Sequence, residues 1–250
     1  MDPRNYKAPS DLLKDRVILA TGAGRGIGRA AARAFAAHGA TVILLGRKVK
    51  GLEAVYDEIV TAGHPQPAIF PLDLEKAEEA ELTAMAAGIR EQLGRLDGIL
   101  HNAVAPYTPA ALEHHSLREW MQHLRVNLAM PAALNRACLP LLRASPDASV
   151  ILTSDDHAGR ARGYWGALSV TKAGVELLAR IQADEWDALP GLRINAVAPG
   201  PVDSPQRQRT HPGDVKTHLP RPEDLMPVYL YLMGPDSRGT TGQVLACQGS

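Results

Sequence analysis

The stretch Thr21-Gly22-Ala23-Gly24-Arg25-Gly26-Ile27-Gly28 decides the fold of this chain. It follows an apolar run, residues 17–20, short enough for a buried strand, and precedes a segment rich in helix formers, residues 29–38. Glycine has no Cβ atom, so such a turn lets the backbone approach a pyrophosphate, and the following helix offers free N–H groups. The stretch therefore predicts dinucleotide binding, against the simpler alternative of a tight turn between a strand and a helix.

Outward from this stretch, apolar runs typical of strands alternate with segments typical of helices. The predicted strands are residues 17–20, 41–45, 68–72, 96–101, 148–153, 192–197 and 242–246. The predicted helices are residues 29–38, 49–61, 75–93, 116–142, 166–186 and 223–233, with a bend or interruption of the fourth near Pro131. Strands separated by helices pair in parallel through right-handed crossovers. The pattern predicts an α/β, Rossmann-type doubly wound parallel seven-stranded sheet with helices on both faces.

The composition indicates one globular domain over residues 1–250, with residues 1–14 as an N-terminal extension. Hydrophobic residues make up 45% of the chain, and Lys+Arg and Asp+Glu number 27 each, so no basic excess indicates nucleic acid as a partner. The two cysteines, Cys138 and Cys247, lie far apart, so we expect buried thiols and neither a disulfide scaffold nor a metal site. No apolar run has membrane-spanning length, and residues 1–16 contain no apolar signal-peptide core. We expect a cytoplasmic protein with no membrane partner.

Short motifs follow the predicted strands along most of the chain. They are Asp73-Leu74, Asn102-Ala103, Asn127, Lys172, Asn195-Ala196-Val197-Ala198-Pro199-Gly200 and Thr241-Gly242-Gln243. Together with residues 21–28 they resemble the short-chain dehydrogenase/reductase family nearly end to end. The sequence Trp165-Gly166-Ala167 is most similar to bacterial oxidoreductases of unassigned substrate in that family. The resemblance implies a carbonyl/alcohol oxidoreductase that uses a nicotinamide dinucleotide.

Charge after the second predicted strand indicates which dinucleotide is bound. An NAD-specific site needs an acidic residue there for the ribose 2′-OH, whereas this chain has Gly46-Arg47-Lys48. Arg47 and Arg25 can pair with a 2′-phosphate, although both are alternatively solvated surface charges. Family members with basic residues at both places prefer NADP(H), so NADP(H) is predicted over NAD(H).

The resemblance also implies individual roles within the cofactor site. The implied cofactor-binding residues are Thr21, Gly22, Gly24, Arg25, Gly26, Ile27, Gly28, Arg47, Asp73, Leu74, Asn102, Ala103, Lys172, Pro199, Gly200 and Ser204. Among them, Asp73 would bond the adenine amino group, with a strand-end turn or helix N-cap as its alternative. Lys172 would hold the nicotinamide ribose, and Ser204 the carboxamide. Asn127 would bridge a helix bulge and an ordered water, and Val104 replaces the usual final Gly of its motif.

The catalytic positions depart from the family pattern. The family's proton relay needs a Tyr four residues before the Lys, and a Ser thirteen residues before that Tyr. A phenol beside an ammonium group can protonate a developing alkoxide, while the Ser hydroxyl polarises the carbonyl. In this chain those positions hold Leu168 and Asp155, so both hydroxyl groups are missing.

Neighbouring residues are the candidate substitutes for the missing hydroxyl groups. Tyr164 would lie about 12 Å from Lys172 along a continuous helix, although a non-helical start at residues 163–166 could fold it inward. Ser154 is displaced by one residue from the family's Ser, and Asp155 would need a raised pKa to donate a proton. Asp155-Asp156-His157 suggests a metal cluster, for which a polar loop is the favoured alternative. The candidate catalytic residues are Lys172, Asn127, Asp155 and Tyr164.

Three functions remain open at this point. The first is an NADP(H)-dependent oxidoreductase with a rearranged relay, and the second is a non-catalytic dinucleotide-binding sensor or partner subunit. The third is a non-redox acid–base enzyme with Asp155 as base. Residues 199–222 would form a loop-like substrate lid whose charges select no chemotype, so the small-molecule substrate stays unknown. By resemblance the chain forms a homodimer or homotetramer through helices 116–142 and 166–186, with Leu177, Leu178 and Ile181 partly at the interface.

Overall fold

Seven strands form one sheet in the computed structural model, which describes residues 2–160 and 162–249. They are β1 Val17–Thr21, β2 Thr41–Gly46, β3 Ala68–Pro71, β4 Gly98–His101, β5 Ala148–Thr153, β6 Leu192–Ala198 and β7 Val244–Ala246. Their order across the sheet is β3-β2-β1-β4-β5-β6-β7, and every neighbouring pair is parallel. The predicted parallel seven-stranded sheet is confirmed.

Helices cover both faces of this sheet. They are α1 Gly26–Ala37, α2 Val49–Thr61, α3 Glu79–Leu93, α4 Leu117–His123, α5 Met130–Ala144, α6 Gly166–Glu185, α7 Pro205–Thr210 and α8 Met226–Met233. Successive residues of a strand point to opposite faces, so Ile18 packs with α1, α2 and α8, whereas Leu19 packs with α3, α5 and α6. Both cysteines are buried free thiols, as predicted. No helix of the described residues is both long and apolar enough to cross a membrane.

The long predicted helix over 116–142 is divided into three parts. A π-helical turn, Leu124–Ala129, lies between α4 and α5. The predicted interruption near Pro131 is therefore present, as a π-helical turn that ends two residues before the proline. Pro131 lies in the first turn of α5, where its missing N–H is tolerated.

Among the other boundaries that differ from the sequence prediction, two have a clear local cause. Helix α3 begins at Glu79 rather than at residue 75, because Asp73 accepts a hydrogen bond from the backbone of Glu75 and forms a turn first. The segment 199–222, predicted to be loop-like, contains helix α7 as well as a 3₁₀ turn, Lys216–His218. Ser204 starts α7 because its hydroxyl accepts a hydrogen bond from the backbone N–H of Arg207.

Candidate cofactor and active site

A cleft of about 370 Å³ runs along the edge of the sheet where the parallel strands end. It spans the point between β1 and β4 at which the strand order reverses, the usual place for a ligand in an open α/β sheet. Most of the predicted cofactor residues line it: Gly22, Gly24, Arg25, Gly26, Ile27, Arg47, Asp73, Leu74, Asn102, Ala103, Lys172, Pro199, Gly200 and Ser204. The structure thus brings together residues that are up to 182 positions apart in the chain, from residue 22 to residue 204.

The glycine turn fits the phosphates of a dinucleotide. Gly22 has a φ of +67° and Gly26 a φ of +54°, backbone conformations that favour glycine. A Cβ atom on Gly28 would lie 2.3 Å from the carbonyl oxygen of Gly22, so α1 can approach the turn only without a side chain there. Thr21 and Gly28 do not line the cleft but shape it, since Thr21 Oγ1 accepts hydrogen bonds from the backbone of Asn102 at 3.0 Å and of Ala103 at 3.1 Å.

One rim of the cleft is positively charged. Strand β2 ends at Gly46, and the next residue, Arg47, lines the cleft together with Arg25. Among the described residues, neither guanidinium forms a salt bridge, whereas Arg29 and Arg33 both contact Glu58. The two cleft arginines are therefore available to an anionic ligand.

Two predicted cofactor contacts also have structural partners. Asp73 Oδ1 accepts a hydrogen bond of 3.2 Å from the Glu75 backbone, so the strand-end turn foreseen as its alternative role is present. The Ser204 hydroxyl caps α7 at 3.2 Å from the Arg207 nitrogen. Both side chains nevertheless lie on the cleft wall.

Lys172 and Asn127 connect the elements around the cleft. The Lys172 Nζ on α6 is buried and donates a hydrogen bond of 2.5 Å to the carbonyl oxygen of Thr153 at the end of β5. Asn127, on the π-helical turn, accepts a hydrogen bond from the Ala105 backbone at 2.9 Å and donates one to Thr171 Oγ1 at 3.0 Å. It does not line the cleft, so its position is that of a link between the loop after β4 and α6.

The pKa of Lys172 should make the free energy of unfolding depend on pH. Burial lowers this pKa from 10.5 to about 8, against the opposing attraction of Asp155. Below pH 8 the folded protein must hold a buried ammonium, and as pH rises from 8 to 10.5 the folded state loses this proton before the unfolded chain does. Relative to Lys172→Met, the wild-type protein should therefore gain about 3 kcal/mol of unfolding free energy over that interval.

Urea unfolding of the ligand-free protein at pH 7, 8, 9 and 10.5 measures this difference. A variant of an exposed lysine, Lys7→Met, serves as the control and should run parallel to wild type. A Lys172→Met difference that does not change with pH would contradict the prediction.

The two positions at which the resemblance leads one to expect the family's hydroxyl groups, Leu168 and Asp155, both line the cleft. Leu168, one turn before Lys172 on α6, is 2% exposed and packs against Tyr107. Asp155 Oδ1 contacts His157 Nδ1 at 2.6 Å and accepts a hydrogen bond from its backbone at 2.9 Å. Burial alone would raise the pKa of Asp155, but the hydrogen bonds from His157, together with electrostatic interactions with His157 and Lys172, outweigh it and lower that pKa. Asp155 is therefore an ionised carboxylate rather than a proton donor.

Neither Tyr164 nor Ser154, the two residues considered as substitutes, offers a free hydroxyl group to the cleft. Tyr164 does precede the start of α6, but with a φ of +72° its side chain turns outward, is 64% exposed and does not line the cleft. Its backbone carbonyl accepts the hydrogen bond of the Tyr107 hydroxyl at 2.6 Å instead. The hydroxyl of Ser154 is committed to Glu176 Oε1 at 2.7 Å. The expectation that Tyr164 could fold inward and act in catalysis is therefore wrong.

Sequence reasoning missed an aromatic wall beside Leu168. The rings of His157 and Trp165 stack with centroids 3.7 Å apart, and Trp165 also faces Tyr107 at 5.8 Å and His211 at 5.5 Å. In the sequence, Trp165 stands out only as part of a motif, and His157 only as a candidate metal ligand. Within the described part of the chain, no cluster of three or more His, Cys, Asp or Glu side chains is arranged to hold a metal ion.

Comparisons with known proteins match nearly the whole chain. The family model described as Enoyl-(Acyl carrier protein) reductase matches residues 22–249. The uncharacterized oxidoreductase YciK of Escherichia coli K12 is 37% identical over 98% of this chain and 96% of its own length. The structure of a Pseudomonas syringae protein assigned to the short chain dehydrogenases is 46% identical, with a TM-score of 0.95 over 98% of this chain and 99% of that one. A structure from Escherichia coli CFT073 complexed with NADPH is 37% identical, with a TM-score of 0.93 over 96% and 100% of the two chains.

Proposed function

The chain belongs to the short-chain dehydrogenase/reductase family, and from this premise we propose that it binds NADP(H) in the cleft at the carboxyl edge of the sheet. The observation that carries the proposal is the pair of arginines on the cleft rim, Arg25 and Arg47, beside a β2 end without a carboxylate. A 2′-phosphate accepts bidentate hydrogen bonds from guanidinium groups, whereas a ribose 2′-OH needs an acidic partner. The NADPH complex of the Escherichia coli CFT073 protein supports the same choice.

Different residues of the cleft would bind different parts of the dinucleotide. The glycine turn and the N-terminus of α1 would hold the pyrophosphate, Arg25 and Arg47 the 2′-phosphate, and Asp73 the adenine. Lys172 would hold the nicotinamide ribose. When bound, the cofactor supplies or accepts a hydride, and the protein's task is to orient the substrate and to move a proton.

Removal of the two rim arginines is expected to weaken NADPH binding by about 10²-fold and NADH binding by much less. Each charge-assisted hydrogen bond contributes about 1.5–3 kcal/mol, and the exposure of both side chains keeps the expectation near the lower end. The double variant Arg25→Ala/Arg47→Ala is titrated with NADPH and with NADH. Protein fluorescence, recorded during each titration, gives the two dissociation constants.

Arg33→Ala provides the matched control, since Arg33 is also exposed on α1 but contacts Glu58 and Glu223 outside the cleft. It should leave both affinities unchanged. An equal loss of NADPH and NADH affinity in the double variant would contradict the assigned role of the arginines.

We further propose that the reaction is hydride transfer between NADP(H) and a small carbonyl or alcohol, with an altered proton source. Leu168 and Asp155 stand where the family has its hydroxyl groups, so the usual donor and the usual carbonyl-polarising group are absent.

A non-catalytic NADP(H)-binding protein is the second candidate, favoured by the apolar Leu168 beside Lys172. NADPH binding without turnover of any ketone or quinone would favour it. The lowered pKa of Asp155 weakens its case as the base of a non-redox enzyme.

Homo-oligomer formation through α6 is also proposed. Leu177 and Ile181 expose 54% and 47% of their surface on one face of this helix, while Leu178 packs inward. Two such faces would cover each other in a homodimer or homotetramer. Leu177→Glu/Ile181→Glu should lower the mass measured by light scattering, and Val60→Glu, a substitution of a similarly exposed residue on α2, should not. A wild-type protein that is monomeric at 50 to 100 µM would overturn the proposal.

A further inference from the structure

The loop after β5 places an imidazole–carboxylate pair in the cleft, and neither a histidine nor an aspartate is part of the family's Ser, Tyr and Lys relay. We propose that His157, oriented by Asp155, exchanges the proton with the substrate oxygen in this cleft. The inference deepens the proposed NADP(H)-dependent oxidoreductase and rests on it. It assigns the role of the missing phenol to a residue eleven positions before Leu168.

The contacts of His157 leave one ring nitrogen for a substrate. Asp155 Oδ1 lies 2.6 Å from Nδ1 and also accepts the backbone N–H of His157 at 2.9 Å, so one carboxylate oxygen fixes both the ring and its backbone. Within residues 2–160 and 162–249, Nε2 has no hydrogen-bond partner. Because the carboxylate engages Nδ1, the exchangeable proton is the one on Nε2. His157, Asp155 and Lys172 all line the same cleft.

Stacking keeps the imidazole in place. The ring of His157 lies at 16° to Trp165 with centroids 3.7 Å apart, and its side chain is only 14% exposed. Trp165 immediately precedes α6, the helix that carries Leu168 and Lys172. The wall is secured further by Tyr107, which faces Trp165 and donates a hydrogen bond to the backbone of Tyr164. The imidazole is thus held relative to the helix on which the family's relay is built, and this lowers the entropic cost of proton transfer.

Three other polar groups of the cleft already have partners. Ser154 donates its hydroxyl proton to Glu176, and Lys172 directs its ammonium to the Thr153 carbonyl. Asp155 is ionised and orients the ring rather than donating a proton. His211 also faces Trp165, and its Nδ1 lies 2.9 Å from Thr210 Oγ1, but among the described residues no carboxylate contacts its ring.

The proton and electron balance follows from these positions. In reduction, the carbonyl carbon accepts a hydride from the reduced nicotinamide, and the carbonyl oxygen accepts the Nε2 proton of the imidazolium. The products are the alcohol, the oxidised nicotinamide and a neutral imidazole, which regains a proton from water. Asp155 stabilises the imidazolium before transfer and keeps Nδ1 protonated after it, a role known for carboxylates beside catalytic histidines. Oxidation of an alcohol runs the same steps in reverse.

His157→Gln and Asp155→Asn test the inference with NADPH and a carbonyl panel that includes 9,10-phenanthrenequinone and acetophenone. We expect His157→Gln to lower kcat by about 10²–10⁴-fold, with a KM and an NADPH dissociation constant within about twofold of wild type. Asp155→Asn should lower kcat as well, with NADPH binding retained. The control is His114→Gln, since the side chain of His114 is 71% exposed and does not line the cleft.

A readout without cofactor accompanies the kinetics. Nitrogen-15 NMR of the ligand-free protein should show His157 protonated at Nδ1 in wild type and a changed tautomer in Asp155→Asn. An unchanged kcat in His157→Gln overturns the inference and leaves the proposed function intact. NADPH binding without turnover of any probe overturns it too, but leaves the binding site standing. Failure of the wild-type protein to bind NADPH is instead the failure of the proposed function.

Discussion

Introduction of Tyr at position 168 into the His157→Gln variant is expected to restore carbonyl reduction by about 10²–10⁴-fold, the usual contribution of general acid catalysis. Leu168 lines the cleft one turn before Lys172, so a phenol there would share the helix face of the buried ammonium. That ammonium, with its pKa near 8, would favour the ionised phenol and make it a suitable acid. Measurement of kcat for 9,10-phenanthrenequinone reduction in His157→Gln and His157→Gln/Leu168→Tyr gives the ratio.

The matched control for this rescue is His157→Gln/Leu168→Phe. It fills the same space against Tyr107 but adds no hydroxyl group, and it should leave kcat at the level of His157→Gln. Equal rates for the Tyr and Phe variants would mean that shape, not proton donation, limits the reaction. A rescue confined to Tyr would show that the cleft holds cofactor and substrate in a productive geometry and lacks only an acid.

Gly28→Ala is expected to destabilise the protein by about 3 kcal/mol and to abolish NADPH binding. Alanine is normally favoured over glycine inside a helix by about 1 kcal/mol, but here its Cβ atom would lie 2.3 Å from the backbone oxygen of Gly22 and 2.7 Å from Asn102 Nδ2. Relief of this contact must displace the turn from α1. Urea unfolding and NADPH titration measure the two effects.

Gly88→Ala is the counterpart within α3. A Cβ atom on Gly88 would meet no heavy atom within 4 Å, so only helix propensity changes, and we expect a gain of about 0.5–1 kcal/mol. NADPH affinity should stay as in wild type. If both alanine variants shifted stability in the same direction, the close approach of α1 to the glycine turn would not be the cause.

Much of the fold could be predicted from the sequence, because its signals are local. The apolar run before Thr21 and the glycine turn after it define a strand, a turn and a helix without reference to distant residues. The structure differs from the prediction where a local sequence signal is compatible with two backbone conformations. Pro131 indicated an interruption, but a proline is also tolerated in the first turn of a helix, so the π-helical turn before it was indicated only by the bulge that the family resemblance implies at Asn127. The proline-rich segment 199–222 concealed α7, which begins at the Ser204 cap.

In the candidate site, too, one part could be predicted from local sequence signals and the other could not. The part predicted to hold the cofactor depends on short motifs, so residues such as Gly22 and Arg47 could be expected to line the cleft, and they do. The part around Leu168 and Trp165 depends on loops that meet only in the folded chain. Tyr107, His157 and His211 come from three separate segments, and nothing in their sequence neighbourhoods predicts that they share a wall with Trp165. The outward turn of Tyr164 depends on one positive φ, which no sequence pattern indicated.

The π-helical turn, Leu124–Ala129, makes the number of residues between α4 and α5 as important as their identity. A π-helical turn takes up about one residue more than an α-helical turn, so this stretch holds an extra residue while α4 and α5 keep roughly the rotational relation of one continuous helix. Insertion of a further residue, wound into the helix, would rotate α5 relative to α4 by about 100°. Leu134 could then stay in the core only if Trp120 left the cluster that it forms with Tyr107. The packing of α4 and α5 therefore constrains the length of this stretch, within which Asn127 lies.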